Sequence, residues 1–262
     1  MNLNEGYMKN LAGLVTTNNP VWFKKWFDSS FYHQLYANRD EKEAANFIDR
    51  LLSELQPSPN SRMLDLGCGM GRHSKFLASK GFSVTGLDLA SSSIRSAKKF
   101  ETSSLQFYQH DMRLPFGKNY FDFVFNFFTS FGYFGSEAEN HNVIRNISNA
   151  LKRGGMIMMD YLNVSYSEER MVSKEEREID GIDYHISRWM DDKHFYKKIV
   201  IDAIQAEGPF EYTEQVAKLY KHDFDYMFDC HGLRLQKVYG DYWLNEYDAN
   251  ASPRLILVAE KK

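Results

Sequence analysis

Three glycines at alternate positions, directly after a short apolar segment, constrain the fold of this chain most. They lie in residues 63–71, Met-Leu-Asp-Leu-Gly-Cys-Gly-Met-Gly. This pattern predicts a buried strand that turns sharply into a helix, because glycine adopts positive φ angles and lets a ligand approach the backbone. Asp65 adds a negative charge that a phosphate-binding loop would not favour. We therefore expect a neutral or cationic nucleoside ligand and not a pyrophosphate.

Two further acids follow predicted strands. The predicted strand 83–88 ends in Asp88, and the predicted strand 105–109 is followed closely by Asp111. An acid at the end of the second strand of a βαβ unit can accept hydrogen bonds from both hydroxyls of a ribose. Together with Asp65, these acids would surround a nucleoside in the crevice where open α/β sheets bind ligands.

At these positions the sequence resembles the class I S-adenosylmethionine-dependent methyltransferases, in particular those that act on small molecules and carry a β insertion. The resemblance covers residues 36–163 closely and residues 222–262 more loosely. It implies that S-adenosylmethionine is the cofactor. A nicotinamide-dinucleotide domain is the alternative, but its G-x-G-x-x-G pattern requires glycine where this chain has Arg72.

The resemblance implies a set of cofactor-binding residues: Tyr36, Arg39, Asp65, Gly67, Cys68, Gly69, Gly71, Asp88, Leu89, Asp111, Met112, Asn126 and Phe127. The glycines would pass under the methionine part, with Asp65 near its amino group. Asp88 would bind the ribose, and Leu89 would pack on the adenine. Asp111 would accept a hydrogen bond from the adenine amino group, with Met112 beside the ring.

The remaining members of this set would contact the methionine part of the cofactor. Asn126 and Phe127 stand at the end of the fourth predicted strand, under the methionine and the sulfonium. Tyr36 or Arg39 would reach the methionine carboxylate, Arg39 as a charge-assisted donor.

Methyl transfer from a sulfonium is already activated by the charge of the leaving group. The enzyme mainly has to align the acceptor and exclude water, so a general base is optional. Tyr133 is the first catalytic candidate, because its hydroxyl could steer the acceptor, and Tyr161 is the second. His110 is a candidate base beside the site. We expect no metal site, because the histidines and cysteines lack the spacing of metal ligands.

Strands and helices alternate through the middle of the chain. The predicted strands are 62–66, 83–88, 105–109, 121–127 and 156–160. Helical patterns separate them, at 72–80, at 92–100 and after a capping box that begins at Ser136. This alternation predicts an α/β fold with a doubly wound, Rossmann-like, mostly parallel sheet. A helix at 222–230 and strands at 234–240 and 254–260 would complete the sheet as an antiparallel pair.

The pattern changes after Asn163. Three β-rich segments, 182–190, 195–204 and 210–220, predict an inserted antiparallel β meander. The resemblance implies that the meander covers the acceptor pocket or joins subunits as a homodimer; a purely structural flap is the alternative.

We therefore divide the chain into four parts. These are an N-terminal cover segment with the first helix (1–60), the S-adenosylmethionine-binding core (61–163), the meander (164–220) and a C-terminal helix with strands that complete the core sheet (221–262). With 262 residues, 43% of them hydrophobic, the chain can bury one large core and a smaller appendage.

The charge and composition of the chain limit the classes of partner that we expect for it. The net charge is −3, and the short basic runs are scattered, so we expect no nucleic-acid partner. The first residues are too polar for a signal peptide and no apolar run is long enough to span a bilayer, so we expect a cytoplasmic protein without a membrane partner.

The sequence thus predicts methyl transfer to an N or O atom of a small-molecule acceptor. Three alternatives remain open. They are a nucleic-acid methyltransferase such as a tRNA-modifying enzyme, a protein or peptide methyltransferase, and a non-catalytic module that binds S-adenosylmethionine.

Overall fold

The structure is a computed structural model that describes residues 22–36, 41–202 and 209–262. These residues fall into two compact units. The first, which we call the meander unit, contains the described residues before position 37 and those from 171 to 218. The second, the core unit, contains the described residues of 38–170 and 219–262.

In chain order the elements are α1 (Trp22–Phe27), α2 (Ser30–Leu35), α3 (Glu41–Leu55), β1 (Arg62–Leu66), α4 (Arg72–Ser79), β2 (Ser83–Asp88), α5 (Ser91–Ala97), a 3₁₀ turn (Lys98–Phe100), β3 (Leu105–Gln109), β4 (Phe121–Asn126), α6 (Glu137–Ala150), β5 (Leu151–Leu162), α7 (Val164–Glu169), β6 (Lys174–Ile179), β7 (Ile182–Met190), β8 (His194–Asp202), β9 (Phe210–Ala217), α8 (Lys221–Cys230), β10 (Leu233–Tyr239) and β11 (Arg254–Lys261). None of the helices in the described ranges is long and apolar enough to cross a membrane.

The core unit is built on a seven-stranded sheet in the order β10-β11-β5-β4-β1-β2-β3. Strands β1 to β5 pair in parallel, whereas β11 is antiparallel to both β5 and β10. The strand order reverses between β1 and β4, which is where sheets of this kind form a ligand crevice. The predicted fold class is confirmed, including the antiparallel final pair and the separate antiparallel sheet of the insertion.

Burial on both faces explains the apolar character of the central strands. All of β1 after Arg62 is buried, and so is β4 apart from Asp122. Phenylalanine rings stack along β4, with Phe123 and Phe125 parallel to within 5°. Such strands have near-continuous hydrophobic sequences because helices cover both sides of a parallel sheet.

The fifth strand is longer than the sequence pattern predicts. The glycines at 154 and 155 indicated a break before a strand at 156–160, but β5 begins at Leu151, directly after α6. Its pairing with β4 shifts register between Phe121 and Phe123. A Cβ at Gly155 would lie 3.0 Å from the backbone oxygen of Asp122. These glycines therefore allow a close approach of two strands at a bulge and do not separate a helix from a strand.

The insertion contains one more strand than expected. Its sheet has the order β6-β7-β8-β9, and β6 was not predicted from the sequence. The segment Lys-Glu-Glu-Arg-Glu-Ile of β6 is charged and mostly exposed, which suits an edge strand but hides the alternation that identifies strands. The short helix α7 was also missed.

The N-terminal aromatic helices pack on this inserted sheet. Trp26 of α1 is fully buried, and its ring centroid lies 4.6 Å from that of Tyr212 in β9. Gln34 of α2 accepts a hydrogen bond from the Tyr184 hydroxyl in β7 at 2.9 Å. Segments about 150 residues apart in the chain thus form one unit.

A carboxylate joins the two parts of the meander unit. Glu214 Oε1 accepts hydrogen bonds from Trp26 Nε1 at 2.7 Å and from the Tyr36 hydroxyl at 3.0 Å. The Tyr36 oxygen also accepts one from Lys197 Nζ at 2.5 Å. Burial lowers the pKa of Lys197, although the charge of Glu214 acts to raise it.

Removing this carboxylate is expected to loosen α1 and α2. Glu214→Ala leaves the indole N–H of Trp26 without its acceptor and should lower the free energy of unfolding by about 2 kcal/mol. Urea denaturation measures the loss, and hydrogen exchange should locate it in residues 22–36. Glu211→Ala is the matched control, because Glu211 pairs with Lys198 at 2.9 Å in an exposed position and should cost at most about 1 kcal/mol. Equal losses in the two variants would contradict the prediction.

Candidate active site

The glycine loop, residues 67–71, connects β1 to α4. Its three glycines have positive φ angles of 82°, 54° and 80°. The backbone N–H groups of Gly67 and Cys68 both donate to the oxygen of Leu87 in β2, at 2.8 and 3.0 Å. These bonds hold the loop at the end of β2.

Two of these glycines are also required by their neighbours. A Cβ at Gly67 would lie 2.6 Å from Ser130 Cβ, and one at Gly71 would lie 2.5 Å from Phe107 Cζ. Gly69 has no atom within 4 Å of the position of a Cβ. The loop therefore packs closely at its two ends and is open at its centre, where a ligand can approach the backbone.

Two buried polar side chains beside the loop have an unused acceptor atom. Asp65 is fully buried, and its Oδ2 accepts a hydrogen bond from Ser74 Oγ at 2.5 Å. Asn126 donates to the Leu66 oxygen at 2.7 Å. Within the described part of the chain, Asp65 Oδ1 and Asn126 Oδ1 have no hydrogen-bond partner. Buried polar atoms are rarely left unpaired, so both oxygens are suited to accept hydrogen bonds from a bound amino group.

Burial also changes the acidity of Asp65. Desolvation raises its pKa to about 7, and the Ser74 hydrogen bond opposes this shift only in part. A positively charged ligand group would favour the ionised carboxylate.

Asp88 supports the glycine loop from the end of β2. Its Oδ2 accepts the N–H of Gly69 and its Oδ1 accepts the N–H of Ala90, both at 2.8 Å. A carboxylate oxygen can accept more than one hydrogen bond, so these two bonds do not by themselves prevent a contact between Asp88 and a ligand hydroxyl. The contact with the loop was not foreseen from the sequence.

Asp111 forms an ion pair with an arginine that sequence reasoning missed. Arg113 donates to both of its carboxylate oxygens, with Nη2 2.7 Å from Oδ2, and reaches Glu139 Oε1 through Nη1 at 2.6 Å. Burial acts to raise the pKa of Asp111, but the Arg113 bonds hold it below its usual range. Leu89 and Met112, expected beside an adenine ring, are half-buried. The contact of Asp111 with an adenine stays a prediction.

Aromatic rings stack at the start of the segment after β4. The ring of His73 in α4 lies 4.4 Å from that of Phe127 and 5.2 Å from that of Phe128, nearly parallel to both. We call these three rings the ring stack. The guanidinium of Arg72 lies 5.1 Å from the Phe128 ring. His73 follows the glycine loop by two positions, a placement that could have drawn attention to it.

Comparison with known proteins shows which families and folds the chain resembles. A methyltransferase-domain family matches residues 63–155. The methyltransferase-named protein YqeM of Bacillus subtilis (strain 168) is 31% identical over 135 residues, which cover 50% of this chain and 53% of that protein. Glycine N-methyltransferase of Rattus norvegicus is 27% identical over 150 residues, 51% of each chain. The crystal structure of an S-adenosylmethionine-dependent methyltransferase from Clostridium acetobutylicum ATCC 824 matches with a TM-score of 0.73 and 19% identity, over 88% of this chain and 96% of that one.

Residues 63–155 of this chain thus match a methyltransferase-domain family, and the chain has the fold of an S-adenosylmethionine-dependent methyltransferase of known structure. The cofactor predicted from the sequence, S-adenosylmethionine, is the one named for that structure. The chain spans about half the length of the curated relatives that it matches.

The three catalytic candidates, Tyr133, Tyr161 and His110, lie in different environments. Tyr161 is fully buried, with its ring 5.2 Å from that of Phe224, and burial raises its pKa well above the usual value. Tyr133 is half-buried. His110 lies beside the Leu114 oxygen, 3.3 Å from its Nε2. Their catalytic roles stay predictions.

Three other sequence predictions concern Tyr36, Arg39 and the expected absence of a metal site. Tyr36 belongs to the meander unit, where its hydroxyl contacts Glu214 and Lys197. Arg39 lies outside the described residues. In the described ranges, no group of three or more His, Cys, Asp or Glu side chains is placed to hold a metal ion.

A buried ion pair of the core unit was not predicted from the sequence. Asp160 near the end of β5 has no exposed surface, and its Oδ1 lies 2.6 Å from Arg254 Nη2 in β11. Burial disfavours the charge of Arg254, but the Asp160 carboxylate holds the pKa of this guanidinium above its ordinary value. The signal was present in the sequence, since Asp160 is a further acid at a strand end and Arg254 directly precedes five apolar residues.

Proposed function

We propose that this protein transfers a methyl group from S-adenosylmethionine to an N or O atom of a small-molecule acceptor. The observation that carries the proposal is the pair of unpartnered buried oxygens, Asp65 Oδ1 and Asn126 Oδ1, beside an open glycine loop. They fit the amino group of the methionine part, and Asp88 at the next strand end fits the ribose hydroxyls. The rat relative is named glycine N-methyltransferase, and glycine is a small amine, which agrees with a small acceptor.

In this proposal, the residues of the chain bind and orient the reactants. When bound, the cofactor supplies a methyl group attached to a positively charged sulfur. Asp65, Asn126 and Asp88 hold its two ends, so that the transferable group faces the segment after β4. The faces of the ring stack can stabilise a nearby cation. Alignment and exclusion of water then provide most of the rate enhancement.

A nucleic-acid acceptor is the second candidate, and the charges around the crevice argue against it. Nucleic-acid binding requires basic side chains that are available to phosphates. Arg113 is engaged by Asp111 and Glu139, and Arg254 is engaged by Asp160. Both guanidiniums are therefore neutralised by carboxylates of the same unit.

Labelled S-adenosylmethionine tests the proposal directly. The purified protein is incubated with the cofactor and, separately, with total RNA, DNA, protein and a metabolite extract. We expect the label in the metabolite fraction only. Incorporation into RNA that added salt suppresses steeply would show a nucleic-acid methyltransferase. Binding of the cofactor without transfer to any fraction would indicate a non-catalytic module.

The raised pKa of Asp65 predicts a pH dependence of ligand binding. The unliganded folded protein retains a proton on Asp65 up to pH about 7, whereas the unfolded chain loses it near pH 3.9. The stability contribution of this proton is therefore present at low pH and declines as the pH rises towards 7. An ammonium group favours the ionised carboxylate, so S-adenosylhomocysteine should release the proton when it binds below pH 7.

Calorimetry measures this linkage. The affinity for S-adenosylhomocysteine should increase from pH 5.5 to 7, by at most about tenfold per pH unit, and then level off. Adenosine, which lacks the amino group, is the matched ligand and should show little change. Loss of the proton release in Asp65→Asn would agree with this assignment, whereas the same release in that variant would contradict it.

A further inference from the structure

The segment after β4 begins in a backbone conformation that its side chains disfavour. Phe128 and Thr129 have φ angles of +53° and +57°. Two consecutive left-handed residues that are not glycine are unusual, and a β-branched residue such as threonine is especially disfavoured there. A conformation of this kind persists only where the surrounding structure holds it.

Asp160 and Arg254 hold this turn through both backbone and side-chain contacts. Asp160 Oδ2 accepts the N–H of Phe128 at 2.8 Å, and the backbone oxygen of Asp160 accepts the N–H of Thr129 at 2.9 Å. Arg254 donates from Nε to Asp160 Oδ1 at 2.7 Å and from Nη2 to Thr129 Oγ1 at 2.9 Å. Tyr242 donates its hydroxyl to Asp160 Oδ2 at 3.1 Å.

The held turn lies against the cofactor crevice. Ser130 follows it directly and packs so closely on Gly67 that this position has no room for a side chain. The Phe128 ring belongs to the ring stack at the start of α4. The centroid of the Tyr242 ring lies 5.2 Å from that of the Phe128 ring. Movement of the turn would therefore displace atoms on the side of the glycine loop where the methionine part is expected.

We infer that Asp160 and Arg254 are positioning residues that preorganise the methionine subsite by holding the turn at Phe128 and Thr129. The inference rests on the proposed function, since it takes S-adenosylmethionine as the ligand. The two residues touch neither the cofactor nor the acceptor in this assignment. They act through the backbone of the turn, and a ligand that does not reach the turn should be insensitive to them.

A pair of ligands distinguishes positioning from a merely structural role. S-adenosylhomocysteine occupies the whole cofactor site, whereas adenosine occupies only the part near Asp88. Asp160→Asn keeps the shape of the side chain but lacks its charge. We expect it to weaken the affinity for S-adenosylhomocysteine about tenfold or more and to change the affinity for adenosine less than about twofold. Arg254→Lys keeps the charge but loses the fork to Thr129, and it should show a smaller selective loss.

Two further variants complete the experiment. Thr129→Gly in the Asp160→Asn background should recover part of the lost affinity, because glycine adopts the left-handed conformation without support. Asp122→Asn is the matched control, because Asp122 also accepts a backbone N–H, that of Arg62, and pairs with Lys152, but at the other end of β4. It should leave both affinities unchanged.

The possible outcomes separate the inference from the proposed function. Selective loss for S-adenosylhomocysteine, with recovery by glycine, supports the inference. If Asp160→Asn binds both ligands as the wild type does, or weakens both equally, the inference is overturned. The proposed function still stands in that case, provided that the wild-type protein binds S-adenosylhomocysteine. If the wild-type protein fails to bind S-adenosylhomocysteine, the proposed function itself fails. Should Asp160→Asn not fold, the same comparison on Arg254→Lys decides.

Discussion

Replacing Asp88 by alanine is expected to weaken the binding of S-adenosylmethionine by about 2 kcal/mol or more, roughly 30-fold in Kd. The carboxylate would lose its proposed bonds to the ribose hydroxyls. It would also release the N–H of Gly69 at the centre of the glycine loop and the N–H of Ala90. Both effects act on the same site, so the loss should exceed that of an ordinary hydrogen bond. Calorimetric titration of the folded variant measures it.

Asp122→Ala provides the comparison for this variant. Asp122 is likewise half-buried and accepts a backbone N–H, but it lies at the beginning of β4, away from the crevice. Its removal should lower stability without changing the affinity for the cofactor. An Asp88→Ala protein that binds S-adenosylmethionine as tightly as the wild type would refute the ribose assignment.

Gly71→Ala is expected to lower the free energy of unfolding by about 2 to 5 kcal/mol. One part of the loss arises from the φ angle of +80°, since the left-handed conformation costs a residue with a Cβ about 1 to 2 kcal/mol. The other part arises from the Phe107 ring, 2.5 Å from the new Cβ, since overpacking a core costs about 1 to 3 kcal/mol. Urea denaturation with a constant m-value would measure the sum.

Gly69→Ala separates these two contributions within the same loop. Gly69 also has a positive φ, +54°, but a Cβ there would meet nothing within 4 Å. We therefore expect the backbone cost alone, about 1 to 2 kcal/mol. If both variants lost the same stability, the close packing of Gly71 on Phe107 would not matter, and the argument from the ring would be wrong.

Local patterns were sufficient to predict the core unit. The alternation of apolar strands and amphipathic helices identified β1 to β4 with bounds within a residue of the observed ones, and it predicted a doubly wound, mostly parallel sheet with an antiparallel final pair. Such patterns work because burial on one or both faces of an element sets its period in the sequence. They failed at β6, whose charged edge position leaves no apolar period, and at β5, where adjacent glycines mark a bulge.

Short segments carried the prediction of the site. Glycine spacing and strand-end acids predicted a nucleoside site at the strand ends, because turn geometry and strand ends are encoded within a few residues. The position of an acid at a strand end did not reveal which group its carboxylate binds. Asp111 is engaged by Arg113, two positions away, and Asp88 accepts the N–H of Gly69, on a different turn.

The amino-acid sequence alone therefore determined most of the elements and the mostly parallel sheet with its antiparallel final pair. Only the tertiary structure paired Asp160 with Arg254, 94 positions away, and joined the N-terminal helices to the inserted sheet through Glu214. The physical reason is that hydrophobic periods are local, whereas a buried polar group must find its partner wherever the fold brings one. Which acid is paired and which remains open for a ligand is consequently a property of the folded chain.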